Sequence, residues 1–172
     1  NNKHIPEIYM NGSIEQRRSL IAGLMDTDGG AGGHQAAIGM VKKDLMLQVL
    51  QLARSLGYKA TFTQNVATID GIPKGNVYWV KFSLASKLCP FDMPRKKAQF
   101  DEFNSGRDNN SSGTHNIQRN AIVAINSVAS RPVRCITVAA KDGLFLAGKG
   151  FAVTHNSQST RGFDLDNAPK DS

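Results

Sequence analysis

Cysteine is scarce in this 172-residue chain: Cys89 and Cys135 are the two it has, and neither sits in a CxxC or Cys/His ligand spacing. That pattern argues against a structural zinc site and against a disulfide-stapled secreted fold. It favours a reducing, cytoplasmic setting in which either thiol stays available for chemistry. No apolar run approaches the ~18 residues of a membrane span, and no charged-then-apolar leader opens the chain, so neither an anchor nor a secretory signal is expected. An initiator Met is also missing, and Asn1 is expected to be an internal position of a longer polypeptide. Acidic residues are outnumbered, 14 Asp+Glu against 21 Lys+Arg, for a net charge of +7. The excess favours a polyanionic partner. It is unevenly spread: residues 1–117 carry 14 basic against 10 acidic side chains, 118–156 carry 5 against 1, and 157–172 carry 2 against 3. Hydrophobic residues nevertheless make up 40%, enough for a packed core,.

What is present reads as two textures. Residues 14–26 predict a helix with Ser13 as N-cap and Gly29-Gly30 as its stop,. A second helix fits Lys43 to Leu56, with Leu45, Leu47, Val49, Leu50 and Leu52 as its apolar positions and Gly57 after it,. His34–Val41 between them suits a strand, and Tyr58–Ala67 and Asn76–Ala85 suit two more, joined by a turn over Thr68–Gly75,. A further helix is expected from about Lys96 to Glu102. Residues 104–116 are polar and turn-rich, the best linker in the chain,. Beyond them the texture is all-β, with short runs at Ala121–Val128, Val133–Ala140, Leu144–Ala147 and Phe151–Thr154. From Ser157 onward periodicity is lost, and no internal repeat is visible.

The first chemical constellation is Ile21-Ala22-Gly23-Leu24-Met25-Asp26-Thr27-Asp28-Gly29. Small residues at 22 and 23 let two helices pack with their backbones close, and Asp28 falls at the helix end, where two such helices bring carboxylates together. Paired acids beside a phosphodiester can hold Mg²⁺ through oxygen ligands, and the metal supplies a nucleophilic water. Like charges at a negative helix end are unfavourable without such a cation. IAGLMDTDG resembles the signature of LAGLIDADG homing endonucleases at its small, aliphatic, acidic and terminal Gly positions. Lys3-His4-Ile5-Pro6-Glu7 resembles the Lys-x-Ile-Pro block that precedes the second signature helix of two-motif members, and Cys89-Pro90-Phe91-Asp92-Met93-Pro94-Arg95-Lys96-Lys97 their basic block after the last strand. The resemblance implies Asp28 as a metal-ligating acid, Lys3 as an active-site lysine, and Arg95, Lys96 and Lys97 as DNA-contacting residues, with Lys96 or Lys97 a second candidate active-site lysine. One signature helix is present where two-motif enzymes need two, so the chain by itself is not expected to cleave DNA as a monomer.

The second constellation is the junction His155-Asn156-Ser157. An Asn side-chain amide can attack its own main-chain carbonyl and cleave the peptide bond after it, an intramolecular reaction made feasible by proximity. The preceding His can donate a proton, and the following Ser offers a hydroxyl that accepts an acyl group. A lone His-Asn-Ser tripeptide is weak and occurs in surface turns, but residues 119–157 resemble the final two sequence blocks of inteins: VRCITV the penultimate block and GLFLAGKGFAVTHN-S the last. Cys135 stands where most inteins carry Asp, and Thr154 directly precedes His155, a pairing that resembles class 3 inteins, known from phage and bacterial replicative helicases. The resemblance implies that Cys135 attacks the N-terminal splice bond, that the acyl group passes to Ser157, and that Asn156 then cyclises. The defining Trp of that class belongs to an upstream block, and Trp79 reads as a core or sheet residue. Gly143 is a departure, since many inteins place there a His that assists the cyclisation. Cys89 reads as structural.

The expected fold class is thus an α/β LAGLIDADG endonuclease half-domain, with a twisted DNA-facing sheet, followed by the C-terminal part of an all-β Hint splicing domain. The expected boundaries are 1–103 for the endonuclease half, 104–116 for the linker, 117–156 for the splicing region and 157–172 for the start of a C-extein. The implied activities are autocatalytic splicing and, in the intact parent, Mg²⁺-dependent cleavage of double-stranded DNA. The implied partners are that DNA, the missing N-terminal intein half and a host extein of DNA metabolism; no membrane is involved. The competing reading is a DNA-binding or nicking module with a degenerate splicing tail.

Overall fold

A computed structural model describes residues 3–32, 35–83, 88–105, 124–130, 132 and 136–155. The chain divides into two compact units, Asn1–Asn120 and Ala121–Ser172.

The first unit runs α1 (Glu7–Met10), α2 (Ile14–Asp28), β1 (Gly29–Gly32), β2 (Gln35–Met40), α3 (Lys43–Ser55), β3 (Ala60–Ile69), β4 (Ile72–Ser83) and α4 (Pro94–Ser105). Helix α2 starts where Ser13 closes a capping box: its Oγ accepts from the Gln16 N–H at 3.2 Å, while Gln16 Oε1 accepts from the Ser13 N–H at 2.9 Å,. The helix runs two residues past the expected end at 26, stops at Gly29 as expected, and passes into β1 with no intervening loop. Gly29 permits this through close approach, not unusual dihedrals. Its φ is −90°, but a Cβ there would lie 2.8 Å from the Met25 carbonyl oxygen and 2.9 Å from Met25 Cε.

The strands form an antiparallel mixed-order sheet, β1-β2-β4-β3. Register places Ala36, Phe82 and Ala60 in one row and Ile38, Val80 and Phe62 in the next. This face packs against the apolar stripe of α3 (Leu45, Met46, Val49, Leu52), against Ile21 and Met25 of α2 and against Phe100 of α4,. Tyr58 and Phe82 meet edge to face at 5.5 Å, and Phe91 and Phe100 at 6.3 Å,. The alternate residues form the opposite face: Gln35, Ala37, Gly39, Thr61, Thr63, Asn65, Trp79 and Lys81, exposed or half-buried,. Trp79 is therefore a sheet residue on the open face and not a core residue.

The turn between β3 and β4 is tighter than expected. Asp70 and Gly71 take φ of 52° and 77°, and pairing continues to Ile69↔Ile72 with a register shift after Ala67. An Asp-Gly pair with both φ positive fits the right-handed strand twist, so strand pairing absorbs most of the eight residues read as a loop.

In the second unit β5 (Leu144–Ala147) pairs antiparallel with β6 (Ala152–His155). The run Ala121–Val128 does not form a strand over its described residues, 124–128, and neither does 136–138 of the run Val133–Ala140. Ile125 and Val128 are 88% and 83% exposed.

Candidate functional site

The end of α2 gathers the first group of candidate residues. Asp28 is its last residue, exposed, with Oδ2 3.1 Å from Thr27 Oγ1. The face of α2 turned from the core carries Ser19, Gly23 and Thr27, all exposed, and a Cβ built on Gly23 would meet nothing within 4 Å. A carboxylate with oxygen-only neighbours suits a hard cation such as Mg²⁺, which takes one or two carboxylates and keeps several waters. Asp28 can supply one such ligand, and the described residues hold no cluster of three or more His, Cys, Asp or Glu that could complete a site.

Lys3 is exposed, at the head of a segment anchored two residues later. Ile5 is buried, its N–H donates to Gln48 Oε1 at 2.8 Å, and its carbonyl accepts from Gln48 Nε2 at 3.0 Å. The amide of Gln48 thus imitates a strand partner and fixes the extended stretch before α1 to α3. Nothing in the spacing of residues 3–7 pointed to position 48.

Arg95, Lys96 and Lys97 open α4 but do not share one fate. Arg95 and Lys97 are exposed. Lys96 is 8% exposed, and its Nζ donates to the carbonyls of Met25 (2.9 Å), Asp26 (2.7 Å) and Gly29 (2.6 Å). Its ammonium also lies 5.8 Å from the centroid of the Phe91 ring. An ammonium has three hydrogens, and all three are engaged within the protein. Where an outward DNA-contacting or active-site role was expected of Lys96, the structure shows its ammonium closing the C-terminal end of α2.

Asp26, passed over in favour of Asp28, makes the reciprocal contact. Its Oδ2 accepts from the N–H groups of Met93 (3.0 Å) and Asp92 (3.3 Å), immediately before α4, while Oδ1 is shielded from solvent without a partner among the described residues. The signal available in the sequence was the alternation of acids at 26 and 28. A helical turn points two such residues about 200° apart, so they cannot share one role.

In the second unit Thr154 and His155 end β6, paired with Phe145 and Leu144 respectively. Thr154 is half-buried and His155 exposed. Gly143 adopts a φ of 67°, and a Cβ there would lie 3.1 Å from Nε2 and 3.3 Å from Cδ2 of His155. The space over Gly143 is taken by the imidazole from the opposite strand. Cys135, Asn156 and Ser157 lie outside the described residues. Cys89 is half-buried, its Sγ 3.6 Å from the Phe91 carbonyl, and burial pushes its thiol pKa up.

Comparison with known proteins finds two likenesses. Residues 4–86 match the family of homing endonucleases. The chain is also 32% identical over 165 residues to the replicative DNA helicase DnaB of Mycobacterium intracellulare, a match covering 95% of this chain and 27% of the relative. The chain thus spans about a quarter of the length of the curated relative it matches. The described residues form a mixed α/β fold built on antiparallel sheets. No helix among the described residues is long and apolar enough to cross a membrane.

Proposed function

We propose that the chain is the C-terminal part of an intein carrying a LAGLIDADG homing endonuclease. Residues 1–103 form the second half of the endonuclease, 104–116 a linker, 117–156 the C-terminal part of a Hint splicing domain, and 157–172 the start of a C-extein. The observation that carries the nuclease half is the uncovered face of α2. Gly23 leaves room for a second helix at close backbone distance, and Asp28 stands at the end of that face. A paired helix from the missing half would bring a second carboxylate, and Mg²⁺ bound there supplies water activation and charge neutralisation at a phosphodiester. Lys3 is the active-site lysine, and Arg95 and Lys97 contact DNA phosphates. The open sheet face, with Gln35, Thr61, Asn65 and Lys81, is the surface turned to the double helix.

The likeness to DnaB supports the splicing half. One continuous match takes in both the endonuclease-like residues and the C-terminal strands, yet the relative is a helicase by name. An intervening sequence within a helicase host accounts for both. In class 3 chemistry the Cys135 thiolate attacks the carbonyl of the upstream splice bond and expels its amine. The acyl group moves to Ser157 Oγ, and the Asn156 amide nitrogen attacks its own carbonyl to form a succinimide, releasing the Ser157 amine for an O-to-N shift. His155 donates a proton at the bond after Asn156, and Thr154 fixes the strand end beside it.

The test supplies the upstream half in trans or by fusion. Ligated exteins and cleavage of target DNA are expected. Cys135→Ala abolishes the branched intermediate, and Asp28→Asn abolishes DNA cleavage while splicing persists. Release at Ser157 by mass spectrometry in Asn156→Ala would sink the cyclisation assignment.

A further inference from the structure

Helices α2 and α4 each carry, in their own sequence, charge of the wrong sign for the end where it sits. The last turn of α2 holds Asp26 and Asp28 and no basic residue, although a helix C-terminus is the negative end of its dipole. The first turn of α4 holds Arg95, Lys96 and Lys97 and no acid, although an N-terminus is the positive end. Taken alone, each end is electrostatically unfavourable. Together they trade charges: Asp26 reaches the N–H groups that precede α4, and Lys96 reaches the carbonyls that end α2. The two contacts span about 70 residues of sequence and cross one another.

Lys96 bonds not only helix carbonyls but also that of Gly29, the first residue of β1. Its ammonium therefore clamps the residues on both sides of Asp28. We propose that Lys96 is a positioning residue, gathering the carbonyls of Met25, Asp26 and Gly29 so that the Asp28 carboxylate is held where a divalent cation binds it. This rests on the reading of Asp28 as a metal ligand. Three carbonyls converging within 2.6–2.9 Å of one nitrogen match a compact ammonium. A planar guanidinium fork cannot address them from a single point.

The test uses NMR on the chain assembled with its upstream half, with Mn²⁺ as the probe. In the unaltered protein, Mn²⁺ is expected to broaden the Asp28 resonances selectively. In Lys96→Met, chosen for similar length without charge, protection of the Gly29 amide from hydrogen exchange falls at least tenfold relative to Val80, and the Mn²⁺ concentration for half-broadening at Asp28 rises at least fivefold. Lys96→Arg, which keeps the charge, restores neither. Should Lys96→Met lose the fold, the arginine variant and Asp26→Asn carry the comparison, both expected to lower Gly29 protection. Unchanged Mn²⁺ broadening in a folded Lys96→Met protein would overturn the positioning role and leave a purely structural lysine. Absence of selective broadening at Asp28 in the unaltered protein would overturn the metal-ligand reading, and the exchange of Gly29 then decides the clamp by itself.

Discussion

Trp79 is the single tryptophan of the chain and lies on the sheet face that no helix among the described residues covers. It is half-buried because its ring rests on Gly39, the residue opposite it in β2. A Cβ on Gly39 would come within 2.7–2.8 Å of three ring atoms. Gly39→Ala must therefore displace the indole, at a destabilisation of about 1–3 kcal/mol, the range for overpacking at a tight contact. Tryptophan emission reports the outcome directly: a red shift in the folded state and a lower urea midpoint are expected, and an unchanged spectrum would mean the ring does not rest on the strand. Cys89 gives a second residue-scale expectation. Burial raises its thiol pKa, so the thiol is protonated through the neutral range and alkylates more slowly than a free model thiol. A pKa raised in the folded state contributes stability that is present below the unfolded value and lost as pH rises through the folded one. Peptide-level mass spectrometry after iodoacetamide should accordingly show labelling of Cys89 rising above the ordinary thiol range. Labelling as fast as the model thiol at neutral pH would refute it.

At the scale of elements, the β3–β4 hairpin is set by Asp70-Gly71. Gly71 needs a φ of 77°, a conformation that costs roughly 1 kcal/mol or more for a side-chain-bearing residue. Gly71→Ala should lower stability by about that amount, measured by urea unfolding, with a larger loss of amide protection at Ile69 and Ile72 than at Val80. Equal loss at all three would mean that the turn does not act locally. The same hairpin marks where the sequence was legible and where it was not. Helix α2 was readable from its cap (Ser13) and the glycines after it, and α3 from its apolar stripe and the stop at Gly57. The turn was placed but drawn too long, since Gly71, Pro73 and Gly75 all signal turns and pairing partners decide which of them ends a strand. Asp28 was legible as the last acid of a helix. The contacts of Asp26, Gln48 and Lys96 were not, because each joins residues 43 to 71 positions apart and leaves no local pattern.

At the scale of the whole molecule, the two units differ in how far they enclose their own apolar residues. The first keeps Ile21, Met25, Ile38, Met46, Leu52 and Val80 wholly out of solvent. The second leaves Ile125, Val128, Leu146 and Val153 at 50% exposure or more, and a two-stranded hairpin is marginal in water without further strands. Complementation by an upstream half would give those side chains a core to enter.

The glycine at 143 carries a consequence for how this hairpin can change over generations. Its backbone conformation favours glycine, and the imidazole of His155 already fills the space a side chain would need. A histidine at 143 is therefore not a single-step acquisition. It would displace the ring of His155, so gain of a second imidazole requires a compensating change near residue 155 first, and the order of substitutions becomes constrained.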